Sequence, residues 1–446
     1  MSKKNYLTSK AERLSYGSWF VGQNIIYFMV VSYLAIFLTD EVGLLEGSVA
    51  ALFLVARIWD AVNDPIIGSL LDKINLKKGK YKPWIDAVTI FMPIITILLF
   101  WNFHGSSTFN LIYATLSYLI YDILYTISDV PIFALATVMT DNPEERVSII
   151  SVGRVAAGIA SLIIGIIAPQ LIAKLGYQST IIYLMIIAFI LMFPLRFLVK
   201  ERVKYKIEEN ISLKDMFRAV YTNKYLLIFY VAYIAINATF TTMTIAPYFA
   251  KWNMGDIGFN TIMMATMALP IILLPALTPM LIRKFGKRNI FLWGIGSSIV
   301  FSIAQYFVGY ENVVLFLILN FLKMIGLIAP MMMNGMFSAD CVEYGAYTTG
   351  QRNAGMIFSV QTFSTKLGSA ISSALSLAII SYFGYQGTAS VQTAEALNGI
   401  WITLSLVPII GLVIAFIIFG KYYNLSEDDV QKMIDEMEEK KVLETE

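Results

Sequence analysis

Residues 57–72 read RIWDAVNDPIIGSLLD, with Asp60 and Asp64 four positions apart and Asn63 between them. On a helix this spacing puts both carboxylates on one side, a turn apart, with the asparagine amide on nearly the same face. Two like charges so close, away from bulk water, repel each other and resist ionising together. A cation shared by the pair relieves the repulsion; in an empty site, a proton held by one carboxylate does the same. Hard monovalent cations favour oxygen ligands, so Asp60, Asn63 and Asp64, with Thr126 completing the shell, fit Na⁺ or H⁺. The structural alternative is an ion-pair network through Arg57, one turn earlier on the same stripe. Carboxylates inside a membrane more often mark ion or proton paths, which favours the cation site.

Further charges sit in equally apolar surroundings. In YDILYTISDVP (121–131), Asp122 and Asp129 are seven apart, hence on one stripe and roughly 10.5 Å apart along a helix axis. Pro131 follows, and a proline loosens a membrane helix where water or neighbours satisfy the freed carbonyl. Two aspartates on one stripe beside it favour a wet cavity. Arg154, Lys366 in SVQTFSTKLGSAISSALS (359–376) and Lys323 in NFLKMIGL (320–327) must each reach a carboxylate, water or ligand. Asn237, Thr241 and Thr244 share one face, which suits a cavity wall or bonding between helices. The small residues AAGIAS (156–161) have an ordinary role in close helix packing.

The elements that must position these groups are membrane helices. Of 446 residues, 57% are hydrophobic and only 14% charged. Apolar runs of about 20 residues, long enough to cross a ~30 Å hydrocarbon core, recur from end to end. They predict twelve spans, near 13–38, 45–71, 84–103, 108–139, 147–173, 178–199, 225–249, 258–282, 290–309, 313–338, 353–383 and 398–420. The first run is too long for a signal-peptide core and is expected to be retained. The breaks at 72–83, 200–224 and 283–289 are rich in Lys and Arg, whereas 102–108, 309–312 and 384–397 have neither. By the positive-inside rule this places the basic breaks and both termini in the cytoplasm of a cell whose plasma membrane the chain crosses repeatedly.

The basic 200–224 segment divides the chain into six-span halves at 1–199 and 225–423, followed by an acidic tail at 424–446. Weak repetition supports the division. Asp141 and Glu144 after span four return as Asp340 and Glu343 after span ten, and Gly-Lys at 79–80 returns at 286–287. Two duplicated six-span halves describe the major facilitator architecture, all-α, with substrate held between the halves near the midplane. In the tail, SEDD (426–429) fits a helix cap, with Val430, Met433, Ile434 and Met437 as one apolar stripe of a helix resting on the cytoplasmic face.

Several functions are excluded. Cys341 is the only cysteine, which rules out disulfides and any cysteine-rich metal site. His104, the only histidine, lies in a polar break and offers no proton relay; it and Cys341 make a phosphotransferase permease improbable. No G-x-x-x-x-G-K-[ST] occurs, so a nucleotide-driven pump is not expected. Charges scattered over several helices suit a closed, alternating site better than a channel's filter ring. No nucleophile–base pair or metal cluster marks an enzyme, and no cofactor beyond the coupling ion is expected.

With these residues in hand, the chain resembles the glycoside–pentoside–hexuronide:cation symporters, the branch of the major facilitator superfamily that includes melibiose permease. The resemblance covers nearly the whole length. It rests on LSYG (14–17), FLVARIWDAVNDPIIG (53–68), GKYKPW (79–84), YTISDVP (125–131), ADCVEYGAY (339–347) and SVQTFSTKLGSA (359–370). It implies sugar uptake driven by Na⁺ or H⁺ through alternating access, by a protein expected to work as a monomer. Asp60, Asn63 and Asp64 correspond to the family's cation site and Thr126 to its partner on span four. Asp129, Arg154 and Lys366 match positions lining the sugar pocket, as do Tyr125, Gln361 and Thr362.

The departures bear on substrate choice. The α-galactoside carriers have an acidic residue where this chain has Asn24, a lysine where it has Gln23, and a tryptophan where it has Phe133. Asp122 and Lys323 stand where the melibiose type is uncharged. The repeat offset places these two at similar depth on corresponding helices, which predicts that they meet across the cavity and that the substrate is a neutral glycoside or pentoside. Alternatively, Lys323 receives the carboxylate of a hexuronide. A transport-like sugar sensor is the alternative from another functional class.

Overall fold

In a computed structural model, residues 7–73, 79–140, 142–202, 221–350 and 354–445 are described, and their regular elements are helices. The segment Asp141 and most of 200–224 lie outside the described residues. Ser9 opens the first helix, α1 (Lys10–Ile36): its side chain accepts from the Glu12 amide while Glu12 accepts from the Ser9 amide, a reciprocal cap. A π turn, Phe37–Glu41, continues α1 to the end of the apolar run. There follow α2 (Glu46–Lys73), α3 (Lys82–Leu99), α4 (Ser107–Met139) and α5 (Pro143–Met192). The 50-residue α5 is two passes: it turns at Gly176 (φ 75°, ψ 173°), a backbone conformation that a side chain would strain, inside the expected 173–178 break.

The later elements are α6 (Lys224–Thr239), α7 (Thr242–Tyr248), α8 (Asn260–Phe285), α9 (Lys287–Val308), α10 (Val313–Met332), α11 (Asn334–Thr349), α12 (Ala354–Tyr382), α13 (Ala394–Ser405), α14 (Val407–Tyr422) and α15 (Glu427–Thr445). Helix therefore occupies each of the twelve apolar stretches. Nine helical stretches among the described residues are apolar and long enough to cross a membrane, and one of them, the 51-residue Ser148–Leu198, has the length for two crossings.

Some stretches depart from the expected single continuous helix or its end. The seventh is broken at Phe240, where Thr239 and Thr241 carry hydroxyls that turn to the Pro408 and Thr403 carbonyls. The twelfth is interrupted at Leu406, just before Pro408, which cannot donate to the preceding turn. After the tenth, helix continues to Thr349 through ADCVEYGAY, where the sequence suggests a polar break. There the Lys287 ammonium lies 2.5 Å from the Asp340 carboxylate, so a helix carrying a buried acid is neutralised from α9.

The chain forms two compact units. The first comprises Met1–Asn210 with Ala246–Ile262 and Gly384–Ala396; the second comprises Ile211–Ile245, Met263–Phe383 and Leu397–Glu446. Within the first, α1 packs closely along α5: a side chain at Gly22 would meet the Ala188 carbonyl at 2.6 Å. The repeated Gly-Lys pair marks one device used twice. In the first unit Glu201 accepts from the amides of Lys80 (2.7 Å), Tyr81 (2.9 Å) and Lys82 (2.8 Å), at the start of α3. In the second, Glu427 accepts from the Lys287 amide (2.5 Å) at the start of α9. Each carboxylate follows the last apolar stretch of its half and satisfies helix N-terminal amides that have no partner within the helix.

Glu427 also begins the tail helix α15, whose Ser426 and Asp429 cap each other. Its stripe starts at the buried Val430, and its Glu436 accepts from the Tyr347 hydroxyl of α11 at 2.9 Å.

Candidate functional site

Six helices carry the predicted site residues: α1, α2, α4 and α5 in the first unit, and α10 and α12 in the second. On α2, Asp60 and Asn63 are 5% and 3% exposed, and on α4 Thr126 is 2% exposed. The Asn63 amide donates to the Thr126 hydroxyl at 3.3 Å, so two of the proposed cation ligands meet across α2 and α4. The bond uses the Asn63 amide nitrogen, and the side-chain carbonyl oxygen is the atom a hard cation would take. The side chains of Asp64 and Arg57 lie outside the described residues, as does that of Thr362.

Thr126 and Asp129 are three residues apart on α4, which puts them on one face about 4.5 Å apart along the axis. Gln23 of α1, 2% exposed beside the close-packed Gly22, reaches this face. Its amide donates to the Ser128 hydroxyl at 2.9 Å and lies 3.5 Å from the Asp129 carboxylate. Ser128 in turn donates to the Tyr125 carbonyl at 2.6 Å. Asn24, the next residue along, instead donates to the Phe20 carbonyl of its own helix at 2.9 Å. Asp122, one turn before Thr126, is 7% exposed.

Aromatic rings line the same region. Tyr125 is stacked between Tyr27 (centroids 5.3 Å apart) and Tyr121 (6.0 Å). Phe133 meets Phe20 edge-on at 5.3 Å, and the Arg154 guanidinium of α5 lies 5.7 Å from the Phe133 centroid. Flat apolar faces beside a carboxylate and a guanidinium suit a sugar, whose ring has an apolar face and a hydroxyl rim. Ser128, Tyr27 and Tyr121 belong to this constellation and were not singled out from the sequence. The period of α4 could have pointed to Tyr121 and Ser128, since 121, 125 and 128 follow helical spacing; nothing in the sequence pairs Tyr27 with Tyr125.

In the second unit Gln361 of α12 accepts from the Ser338 hydroxyl at 3.1 Å, and Ser338 is itself within 2.6 Å of the Tyr230 hydroxyl. Lys366 lies five residues further along α12, half-buried. Asn237, Thr241 and Thr244 make bonds within and between helices: Asn237 to the Tyr233 carbonyl (2.8 Å), Thr241 to the Thr403 carbonyl (2.5 Å) and Thr244 to Ser373 (3.1 Å). Lys323 of α10 is 2% exposed, and its ammonium donates to the Gln305 side-chain carbonyl of α9 at 2.8 Å. Asp122 belongs to the first unit and Lys323 to the second.

Residues 15–427 match the family model described as MFS/sugar transport protein. An uncharacterized symporter of Bacillus subtilis, YnaJ, is 31% identical over 96% of this chain and 95% of its own length. The isoprimeverose transporter of Lactiplantibacillus pentosus is 29% identical over 96% of this chain and 91% of its own. Among solved structures, the nucleoside transporter NupG superposes with a TM-score of 0.67 over 92% of this chain and 99% of its own, at 14% identity, which shows a shared fold. Apolar helices from end to end, a carboxylate–amide–hydroxyl cluster beside aromatic rings, and a whole-length family match lead to one conclusion: the chain is a membrane protein of the major facilitator fold and belongs to the MFS/sugar transport family.

Proposed function

We propose that this protein brings a neutral glycoside or pentoside into the cell by symport with Na⁺ or H⁺, working as a monomer in the plasma membrane with both termini inside. The observation that carries the reading is the shared face of α4. Thr126, beside the stacked Tyr125, joins Asn63 and the Asp60 helix on one turn, and Asp129 joins Gln23 on the next. A cation that fixes the first turn thereby presets the second for sugar, and a sugar does the same for the cation. Such reciprocal coupling between sites is typically worth ~1–3 kcal/mol. The relatives' names agree in class: an isoprimeverose transporter at 29% identity and a putative glycoside/cation symporter of Escherichia coli at 27%.

A second reading, an anionic hexuronide as substrate, is favoured by one observation. Arg154 places a guanidinium beside the proposed sugar platform Phe133, where it could take a carboxylate. A glucuronide carrier homologue of Escherichia coli is 26% identical.

The test is uptake of a panel of glycosides, pentosides and uronides into proteoliposomes under an imposed Na⁺ or H⁺ gradient. Gradient-driven accumulation of a neutral sugar that Asp60→Asn abolishes, while sugar binding survives weakened, supports the proposal. Undiminished accumulation by Asp60→Asn would remove Asp60 from the coupling site. Accumulation of uronides alone would establish the second reading, and no accumulation of any sugar would leave a sensor.

A further inference from the structure

Lys323 is buried in the second unit, on a stretch of chain with no counter-charge to offer it. Helices α6, α8, α9, α10, α12 and α14 contain no aspartate or glutamate, and Glu311 is exposed in the turn between α9 and α10. The acids of α11, Asp340 and Glu343, follow Lys323 by a helical rise of about 25–30 Å. Asp340 is moreover held by Lys287. An ammonium buried without compensation is strongly destabilising.

The surroundings of the amine are specific. Ser298, Ser302 and Gln305 lie on α9 at spacings of four and three, which makes one stripe, and all are wholly buried. The stripe faces α10 at both ends. The Ser298 hydroxyl donates to the Lys323 backbone carbonyl at 3.1 Å, and the Gln305 side-chain carbonyl accepts from the Lys323 ammonium at 2.8 Å. Ser302 stands between them, about 6 Å past the first and 4.5 Å short of the second along the axis, so the lysine side chain runs past it. Backbone contact fixes the two helices nearby: a side chain on Gly326 would begin 2.5 Å from the Gly294 carbonyl oxygen.

Two groups in this stripe are unsatisfied among the described residues. The Ser302 hydroxyl has no hydrogen-bond partner. The ammonium carries three N–H donors, and Gln305 takes one. The acceptors around them are already engaged. The Gln305 amide faces the Asn320 side-chain carbonyl at 3.5 Å, and Asn320 donates to the Thr266 hydroxyl at 2.7 Å. What remains is a surplus of donors beside one positive charge. A water molecule there could accept from them, but its own hydrogens would lack acceptors. A monovalent anion accepts from every donor and brings no hydrogen of its own. The burial of both residues admits an ion and no sugar.

We propose that the second unit binds a dehydrated monovalent anion of chloride size between the Lys323 ammonium and the Ser302 hydroxyl, as the counter-ion that lets this lysine stay buried. The site is separate from the candidate cation cluster of α2 and α4, and its existence does not depend on which sugar the protein carries.

The experiment uses the full-length protein purified in detergent. Sodium gluconate, whose anion is too large for the site, is replaced stepwise by sodium chloride at constant Na⁺ and ionic strength, and thermal unfolding is followed. An ion that binds only the folded state raises Tm as its concentration passes Kd. The parent's Tm should rise with chloride and saturate, and bromide should substitute for chloride. Lys323→Met should abolish the rise. Ser302→Ala, which loses one donor to the ion, should move the midpoint up about tenfold or more. A parent Tm indifferent to chloride overturns the site, because the amine is then buried without an anion. A rise that Lys323→Met retains places chloride on other basic groups and overturns it equally. Should Lys323→Met fail to fold, Ser302→Ala decides alone: an unshifted midpoint refutes the proposal.

Discussion

The amine of Lys323 allows a sharp test, because its setting is unusual. It is 2% exposed, and its bond is to a neutral acceptor, the Gln305 carbonyl at 2.8 Å. Gln305 is itself wholly buried; its amide lies 3.5 Å from Asn320, which donates to Thr266 at 2.7 Å. Between Ile257 and Ala339 the sequence has one acidic residue, Glu311, which is exposed in the turn between α9 and α10. A hydrogen bond to a charged group contributes roughly 1.5–3 kcal/mol, and an uncompensated buried charge costs about 3–5 kcal/mol. Gln305→Leu, which strips the amine of this acceptor while keeping volume, should therefore destabilise by about 2–4 kcal/mol.

Lys323→Met keeps the length and removes the charge. The relief of burying no cation offsets the donor lost by Gln305, so its cost should be near zero or negative. The double mutant should then be more stable than Gln305→Leu alone, with a coupling of about 2 kcal/mol. Denaturant unfolding of the purified protein in detergent measures all four corners of the cycle. Gln305→Leu as stable as the parent, or a double mutant costing the sum of the singles, would show that the amine takes its support elsewhere. The same variants address substrate charge. If Lys323 serves Gln305, Lys323→Met keeps uptake of neutral sugars; if it serves a substrate carboxylate, uronide uptake is lost with stability intact.

Other expectations follow from single contacts. Glu201→Ala leaves three amides at the start of α3 without their acceptor and should cost about 2–4 kcal/mol, part of which Glu201→Gln recovers; thermal unfolding reads both. Asp129→Asn should weaken sugar binding at least about tenfold by calorimetry if its carboxylate holds a hydroxyl, and unchanged affinity would make Asp129 structural. Reporter fusions after Leu45 and Gly384 should read outside and those after Gly79 and Gly286 inside; an outside reading at Gly286 would undo the six-plus-six orientation.

What the sequence discloses follows how local each cause is. Hydropathy is a sum over neighbours in the chain, so every apolar stretch carries helix, and a carboxylate pair a turn apart on α2 is visible because helix geometry alone relates its members. The Gly-Lys repeat is legible as repetition, but its meaning is not: Glu201 and Glu427 stand 121 and 140 residues from the amides they hold. The break after span ten fails for the same reason. ADCVEYGAY reads as loop by polarity, yet it is helix, and its buried Asp340 is paired with Lys287, 53 positions earlier. Depth in a span likewise says that Lys323 needs a partner without saying which. The structure gives its ammonium the Gln305 side-chain carbonyl of the neighbouring helix, a partner that spacing along the chain does not announce. A buried polar group thus announces a debt to some distant residue, and only the packing of helices names the creditor. For that reason the Asn63–Thr126 contact between α2 and α4, where the proposed cation ligands lie, is the most readable part of the candidate site, and the tyrosine stack through Tyr27 the least.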